Sequence, residues 1–173
     1  VNLSAGSLMP RPRTSGNPCD FFGGGDQQIS DGIAALYAAG IPFVIASGND
    51  FQVNKVNFPS CIPQAITVGS VVSFVAPDGL RFGNRVGDIA SYSNIGPEID
   101  VLAPSEGIAT ATNNGNYMIG SGTSSAAPFI AGVIALLKQA KPTATLDEIR
   151  MALATTINYK SDIYYSNLPL VHL

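Results

Sequence analysis

Charge is scarce in this sequence: Asp, Glu, Lys and Arg together make up 12% of 173 residues, against about 25% in an ordinary soluble domain. The shortage suggests that part of the surface belongs against something else. The charge present sums to -3, with Lys and Arg scattered rather than gathered in a stripe, which argues against nucleic acid as a partner. Long apolar runs are also missing. The longest uncharged one, Ala126 to Leu137, falls well short of the roughly 20 residues that cross a bilayer, so no membrane span is expected and the run reads as a buried helix. No charged segment leads into an apolar stretch and a cleavage site at the N-terminus. Instead Val1-Asn2-Leu3 reads as a strand already under way, which suggests processing, excision or a missing partner. No internal repeat or low-complexity tract is present.

Histidine occurs once, at His172, and cysteine twice, at Cys19 and Cys61. The two cysteines lie in Gly- and Pro-rich loops with neither CxxC spacing nor neighbouring ligands, so they do not read as a metal site. A Cys19–Cys61 disulfide is preferred over two free thiols. Closing a loop of that size stabilises by roughly 3 to 4 kcal/mol in the chain-entropy model. Its persistence would imply an oxidising compartment, and the protein is expected to be secreted or extracellular.

What the sequence does have is apolar content, 46%, enough for one compact domain with a real core. A helix is predicted from Asp26, with Asp26 as its cap and Ile29, Ile33, Leu36 and Tyr37 on one face, ending at Gly40. Ile41 to Ala46 is a short β-branched run followed by the turn Ser47-Gly48-Asn49-Asp50. Strand, helix and strand in this order predict a parallel crossover and an α/β fold with a mostly parallel sheet. Further strands are predicted at 65–72, 99–104 and 107–112, the sheet edge falling near the last two. Between them, the Pro77-Asp78-Gly79 turn opens an irregular surface loop to Asp88. A core helix is predicted from Thr123 to about Gln139, with Pro128 tolerated near its first turn. Another starts at Thr145-Leu146-Asp147-Glu148, which has the form of a capping box.

The strongest chemical signal is Gly120-Ser121-Gly122-Thr123-Ser124-Ser125-Ala126-Ala127-Pro128, a small-residue loop that delivers a serine to a helix start. Small residues admit a substrate backbone, and unpaired N–H groups at the positive end of the helix dipole favour developing negative charge. Ser124 could then attack a carbonyl while its own N–H steadies the oxyanion. The plainer alternative is that Ser124 only caps the helix.

This run resembles the nucleophile motif of the subtilase family, Gly-Thr-Ser followed by a variable residue and Ala-Ala-Pro or Ala-Ser-Pro. Other blocks follow in that family's order. Val1-Asn2-Leu3-Ser4 looks like its central strand, and Ala39 to Asp50 like the block ending in Gly-Asn. Phe58-Pro59-Ser60 with Ala65 to Val71 looks like the next, and Ala90-Ser91-Tyr92-Ser93-Asn94 through Asp100-Val101-Leu102-Ala103-Pro104 like the segment before the nucleophile. The likeness weakens in residues 7 to 25, 73 to 88 and after about 157. It implies a subtilisin-like three-layer fold, of which residues 1–173 would be the C-terminal part of the catalytic domain.

Residue by residue, the resemblance makes Ser124 the nucleophile and Asn49 the oxyanion-hole asparagine of a serine endopeptidase. Ser4, Ala5 and Gly6 with Ala46, Ser47 and Gly48 match the segments that flank the P1 side chain, the one beside the scissile carbonyl. Asn57 falls near the floor of that pocket and hints at a polar or shortened one. A peptide or protein is the implied substrate, binding as an added strand.

The family's Asp and His precede the central strand, and here nothing precedes Val1. The isolated chain is therefore expected to be inactive, with an N-terminal segment or companion chain as the partner that completes the triad. The order Ser124, Asp162, His172 would suit an α/β-hydrolase, but Ala126 stands where that fold needs glycine. No cofactor is implied for the chemistry. Structural calcium, common in the family, stays open, although Asp78, Asp88 and Asp100 form no recognisable ligand loop. Two alternatives remain: a non-catalytic protease-like binding or scaffold module, and an anion- or nucleotide-binding domain using the Gly-rich turn, which lacks a P-loop lysine.

Overall fold

The computed structural model describes residues 1–6, 19, 24–73, 85–155, 158–160 and 168–170, with residues 24–26, 158–160 and 168–170 described through their backbone only. In chain order the elements are β1 (Asn2–Leu3), α1 (Gly24–Ala38), β2 (Val44–Ala46), β3 (Ile66–Val71), β4 (Val101–Pro104), β5 (Ile108–Ala111), β6 (Tyr117–Gly120), α2 (Thr123–Ala140), α3 (Leu146–Thr155), β7 (Asn158–Lys160) and β8 (Leu168–Leu170). Six strands form one sheet in the order β1-β2-β3-β4-β8-β7. Every neighbour pair is parallel except β8 with β7.

The expected mostly parallel sheet is present, but its edge lies elsewhere than expected. β4 is interior, paired on both sides, and β5 leaves the sheet altogether to form an antiparallel hairpin with β6. The β4 neighbour that covers the supposed edge arrives more than sixty residues later in the chain, so local pattern could not reveal it.

Successive side chains of a strand point to opposite faces, and the sheet is accordingly buried on both. Ile45 and Leu102 join Phe58, Ile62 and Ile33 of α1 on one side. Val44, Ala46, Val68 and Val101 pack on the other against Ala126, Ile130 and Ile134 of α2 and Ile149 and Leu153 of α3. Helix, sheet and helix give three layers. Cys19 and Cys61 are joined by a disulfide, Cα to Cα 5.4 Å, and both belong to the core cluster that includes Ile33 of α1.

Two helices differ from their sequence expectation. α1 begins two residues before Asp26, which lies inside the first turn rather than at the cap, and Ile29 is exposed. α2 is buried along one face only: Leu136 on the other is 66% exposed among the described residues. The capping box of α3 forms as expected, with Glu148 N–H donating to Thr145 Oγ1 at 3.2 Å and Thr145 N–H to Glu148 Oε2 at 2.9 Å. Lys141 adds an ion pair at 2.7 Å, and hydrogen bonding by Lys141, then by the Thr145 N–H, lowers the Glu148 carboxyl pKa. Arg150 ties α3 to the sheet by donating to Asp100 Oδ1 at 2.9 Å and to the carbonyls of Pro63 and Ala65. Burial nevertheless raises the Asp100 pKa, opposed by Arg150 and the Thr67 N–H.

No helix of the described residues is long and apolar enough to cross a membrane. The Pro77-Asp78-Gly79 turn lies outside the described residues.

Candidate active site

Ser124 is the second residue of α2, and what precedes it is set by Gly122. Gly122 has φ 127°, a conformation that side chains strain to adopt, and a Cβ there would come within 3.3 Å of Asn49 Nδ2. The first amides of a helix have no acceptor inside it. The Thr123 N–H finds one in Asn49 Oδ1 at 2.9 Å, and the Ser124 N–H follows it at the positive end of the helix dipole.

Pro128 is the sixth residue of α2, just past its first turn. Its missing N–H would have bonded the carbonyl four residues back, and that carbonyl belongs to Ser124. Ser4 takes the vacant position: its hydroxyl donates to Ser124 O at 2.9 Å, while the Ser124 hydroxyl donates to Ser4 O at 3.1 Å.

Asn49 follows β2 at its carboxyl end, the edge where open α/β sheets place ligands. Gly48, φ 110°, makes the turn, and a Cβ on it would overlap the side-chain amides of Asn57 and Asn94. Both Thr123 donors, N–H and Oγ1–H, reach Asn49 Oδ1 at 2.9 Å. Two donors require an oxygen there, so Nδ2 is the group left over, without a partner among the described residues.

All the residues proposed from sequence for catalysis and substrate contact except Ser47 line one cleft of about 270 Å³: Ser124, Asn49, Ser4, Ala5, Gly6, Ala46, Gly48 and Asn57. Ser47 is fully buried, its Oγ without a partner among the described residues. It contributes instead through its carbonyl, which accepts from Asn57 N–H at 2.9 Å. Asn57, 6% exposed, closes the cleft beneath Gly6 and Gly48. Its Nδ2 donates to Asp50 Oδ2 at 2.8 Å.

Three contributors were not singled out from sequence. Asp50 also lines the cleft, its carboxylate held by side-chain amides. It pairs with no cation among the described residues. Thr123 orients Asn49. Asn94, fully buried, accepts from Asp50 and Gln52 N–H at 2.9 and 3.0 Å, and its Nδ2 donates to Ser47 O and Asn57 Oδ1. The Asn49-Asp50 adjacency and the threonine of Gly-Thr-Ser were visible signals; Asn94 gave none.

His172 and Asp162 lie outside the described residues. Among the described residues no three acids, histidines or cysteines gather to hold a metal. Asp100 is engaged by Arg150 and the Thr67 N–H, and Asp78 lies outside the described residues.

The model of the subtilase family matches residues 1–168, and the chain belongs to that family. It is similar to Subtilisin NAT of Bacillus subtilis subsp. natto, 31% identical over 148 residues that cover 86% of this chain and 34% of that protein. It is equally similar, at 31% over 148 residues, to Subtilisin of Bacillus pumilus, covering 48% of that protein. The crystal structure of a cold-adapted subtilisin-like serine proteinase superposes with a TM-score of 0.69 at 28% identity, over 83% of this chain and 49% of the other. The chain thus spans a third to a half of the length of these relatives.

Proposed function

We propose that these residues supply the nucleophile and the oxyanion hole of a secreted serine endopeptidase. The carrying observation is the Asn49 amide: Thr123 fixes its oxygen, which leaves Nδ2 as a donor in the cleft that Ser124 shares. Ser124 Oγ attacks the scissile carbonyl carbon, and its proton passes to a base. The C–O bond forms and the carbonyl oxygen becomes an oxyanion, held by Asn49 Nδ2 and the Ser124 N–H. Collapse breaks the C–N bond as the amine takes the proton, leaving an acyl-enzyme that water hydrolyses.

The base and its carboxylate partner come, in this reading, from an N-terminal segment or a companion chain, where the Ser124 hydroxyl exchanges Ser4 O for the base. The 173 residues alone would not turn over. The disulfide supports a secreted location. Asn57 and the Asp50 carboxylate suit a small or basic P1 side chain better than an acidic one. No cofactor takes part in the chemistry.

Peptide hydrolysis by the full-length protein tests the reading. Ser124→Ala should abolish it, and Asn49→Ala should lower kcat by about 10²- to 10³-fold, a magnitude established for a subtilisin rather than deduced for this chain. Hydrolysis that survives Ser124→Ala overturns the reading; a wild type that binds peptide without cleaving it points to a scaffold module.

A further inference from the structure

We propose that Tyr92 is a positioning residue for this chemistry, one that holds the turn before Ser124 and the turn after Asn49 at a fixed spacing. The inference rests on the peptidase reading above. Tyr92 is 5% exposed. Its phenol oxygen lies 3.0 Å from Ser70 Oγ of β3 and 2.8 Å from Ser105 Oγ just past β4. It also accepts the buried N–H of Gly122 at 3.1 Å, two residues before the nucleophile. On the other side, the Tyr92 carbonyl accepts Phe51 N–H at 3.1 Å, two residues after the oxyanion asparagine. One residue therefore bonds both turns, with its phenol anchored to two sheet strands.

Filling the core does not require this arrangement. Phenylalanine would fill nearly the same space without burying a hydroxyl, which is unfavourable unless its hydrogen bonds are made. Gly122 precedes the helix, so no intrahelical acceptor is available to its N–H, and the phenol supplies one. A neutral phenol has a single proton to give and can accept as well, so it can donate to one serine while receiving the Gly122 N–H. Burial, with Glu106 nearby and despite the hydrogen bonds of Ser105 and Ser70, pushes the Tyr92 pKa up to about 12, and the hydroxyl keeps that proton throughout the working pH range. Small displacements of a reacting group are expensive in turnover, so loss of this tether should appear in kcat rather than in binding.

The test is Tyr92→Phe in the full-length protein, assayed well below its melting temperature. The expected result is a kcat lower by about 10-fold with KM within about 2-fold, and a parallel slowing of Ser124 labelling by a fluorophosphonate. Ile149→Val, buried in α3, controls for lost stability and should leave kcat unchanged. Should Tyr92→Phe fail to fold, Ser105→Ala loosens the phenol without removing it and should give a smaller kcat loss of the same kind. A wild-type kcat in the folded variant, a change confined to KM, or an equal loss in Ile149→Val overturns the inference. With Ser124→Ala inactive, those results leave the peptidase reading standing; activity that survives Ser124→Ala removes both.

Discussion

Ser4 and Ser124, 120 residues apart in sequence, hold each other by reciprocal hydrogen bonds, each hydroxyl donating to the other's carbonyl at 2.9 and 3.1 Å. The pairing follows from Pro128, which cannot donate to the Ser124 carbonyl and so leaves it open to the Ser4 hydroxyl. The chain just past β1 is thereby docked on the helix that carries Ser124.

That coupling is measurable by urea denaturation. Ser4→Ala should lower stability by about 1 kcal/mol. In a Pro128→Ala background, where the helix regains its own donor to Ser124 O, the same change should cost less than about half of that. Equal losses in both backgrounds would mean that the proline and the serine act independently.

Secondary structure and the chemical residues were legible to different depths. The β-branched run around Val44, the apolar helix after Thr123 and the Thr145 capping box are local patterns, and each formed close to its expected bounds. The β5–β6 hairpin was missed although Asn114-Gly115 marks its turn, with Gly115 at φ 78°. β7 and β8 lie where the pattern weakens, and β8 reaches β4 only through tertiary folding. Ser124 and Asn49 announced themselves through Gly-Thr-Ser and Gly-Asn. Tyr92 and Asn94 did not, because their hydrogen bonds run to Gly122, Phe51 and Gly48, neighbours that exist only once the loops converge.

Arg150 and Asp100 make a pH-dependent contribution. Arg150→Met leaves a mostly buried carboxylate unpaired and should destabilise the protein by about 2 to 3 kcal/mol at pH 7, somewhat below a fully buried pair because the side chains are about a quarter exposed. The Asp100 pKa, already raised in the folded state, rises further without the guanidinium. A raised carboxyl favours the fold below its unfolded pKa and loses that advantage as pH climbs through the folded one. The deficit of Arg150→Met should therefore shrink toward pH 4, and Asp100→Asn in the same chain should recover part of it at pH 7. Thermal melts across that range check both.

Removing the disulfide with Cys19→Ser and Cys61→Ser should lower stability by roughly 3 to 4 kcal/mol. Chemical denaturation of the double variant against the oxidised wild type measures it, and a difference below about 1 kcal/mol would show that the bridge is incidental.

Substrate preference should follow the cleft floor. Among peptides differing only at P1, lysine or arginine should exceed glutamate in kcat/KM, and Asp50→Asn should narrow that ratio by about 10-fold. Asn57→Ala should favour larger P1 side chains by about 10-fold. Unchanged rankings in both variants would place P1 elsewhere.

The proposed nucleophile and oxyanion donor can be observed together in a crystal structure of the full-length protein inactivated by a fluorophosphonate. The phosphorus should be bonded to Ser124 Oγ, with the phosphoryl oxygen about 3 Å from both Asn49 Nδ2 and the Ser124 N–H. An adduct on another residue, or a phosphoryl oxygen facing away from Asn49, would contradict the assignment.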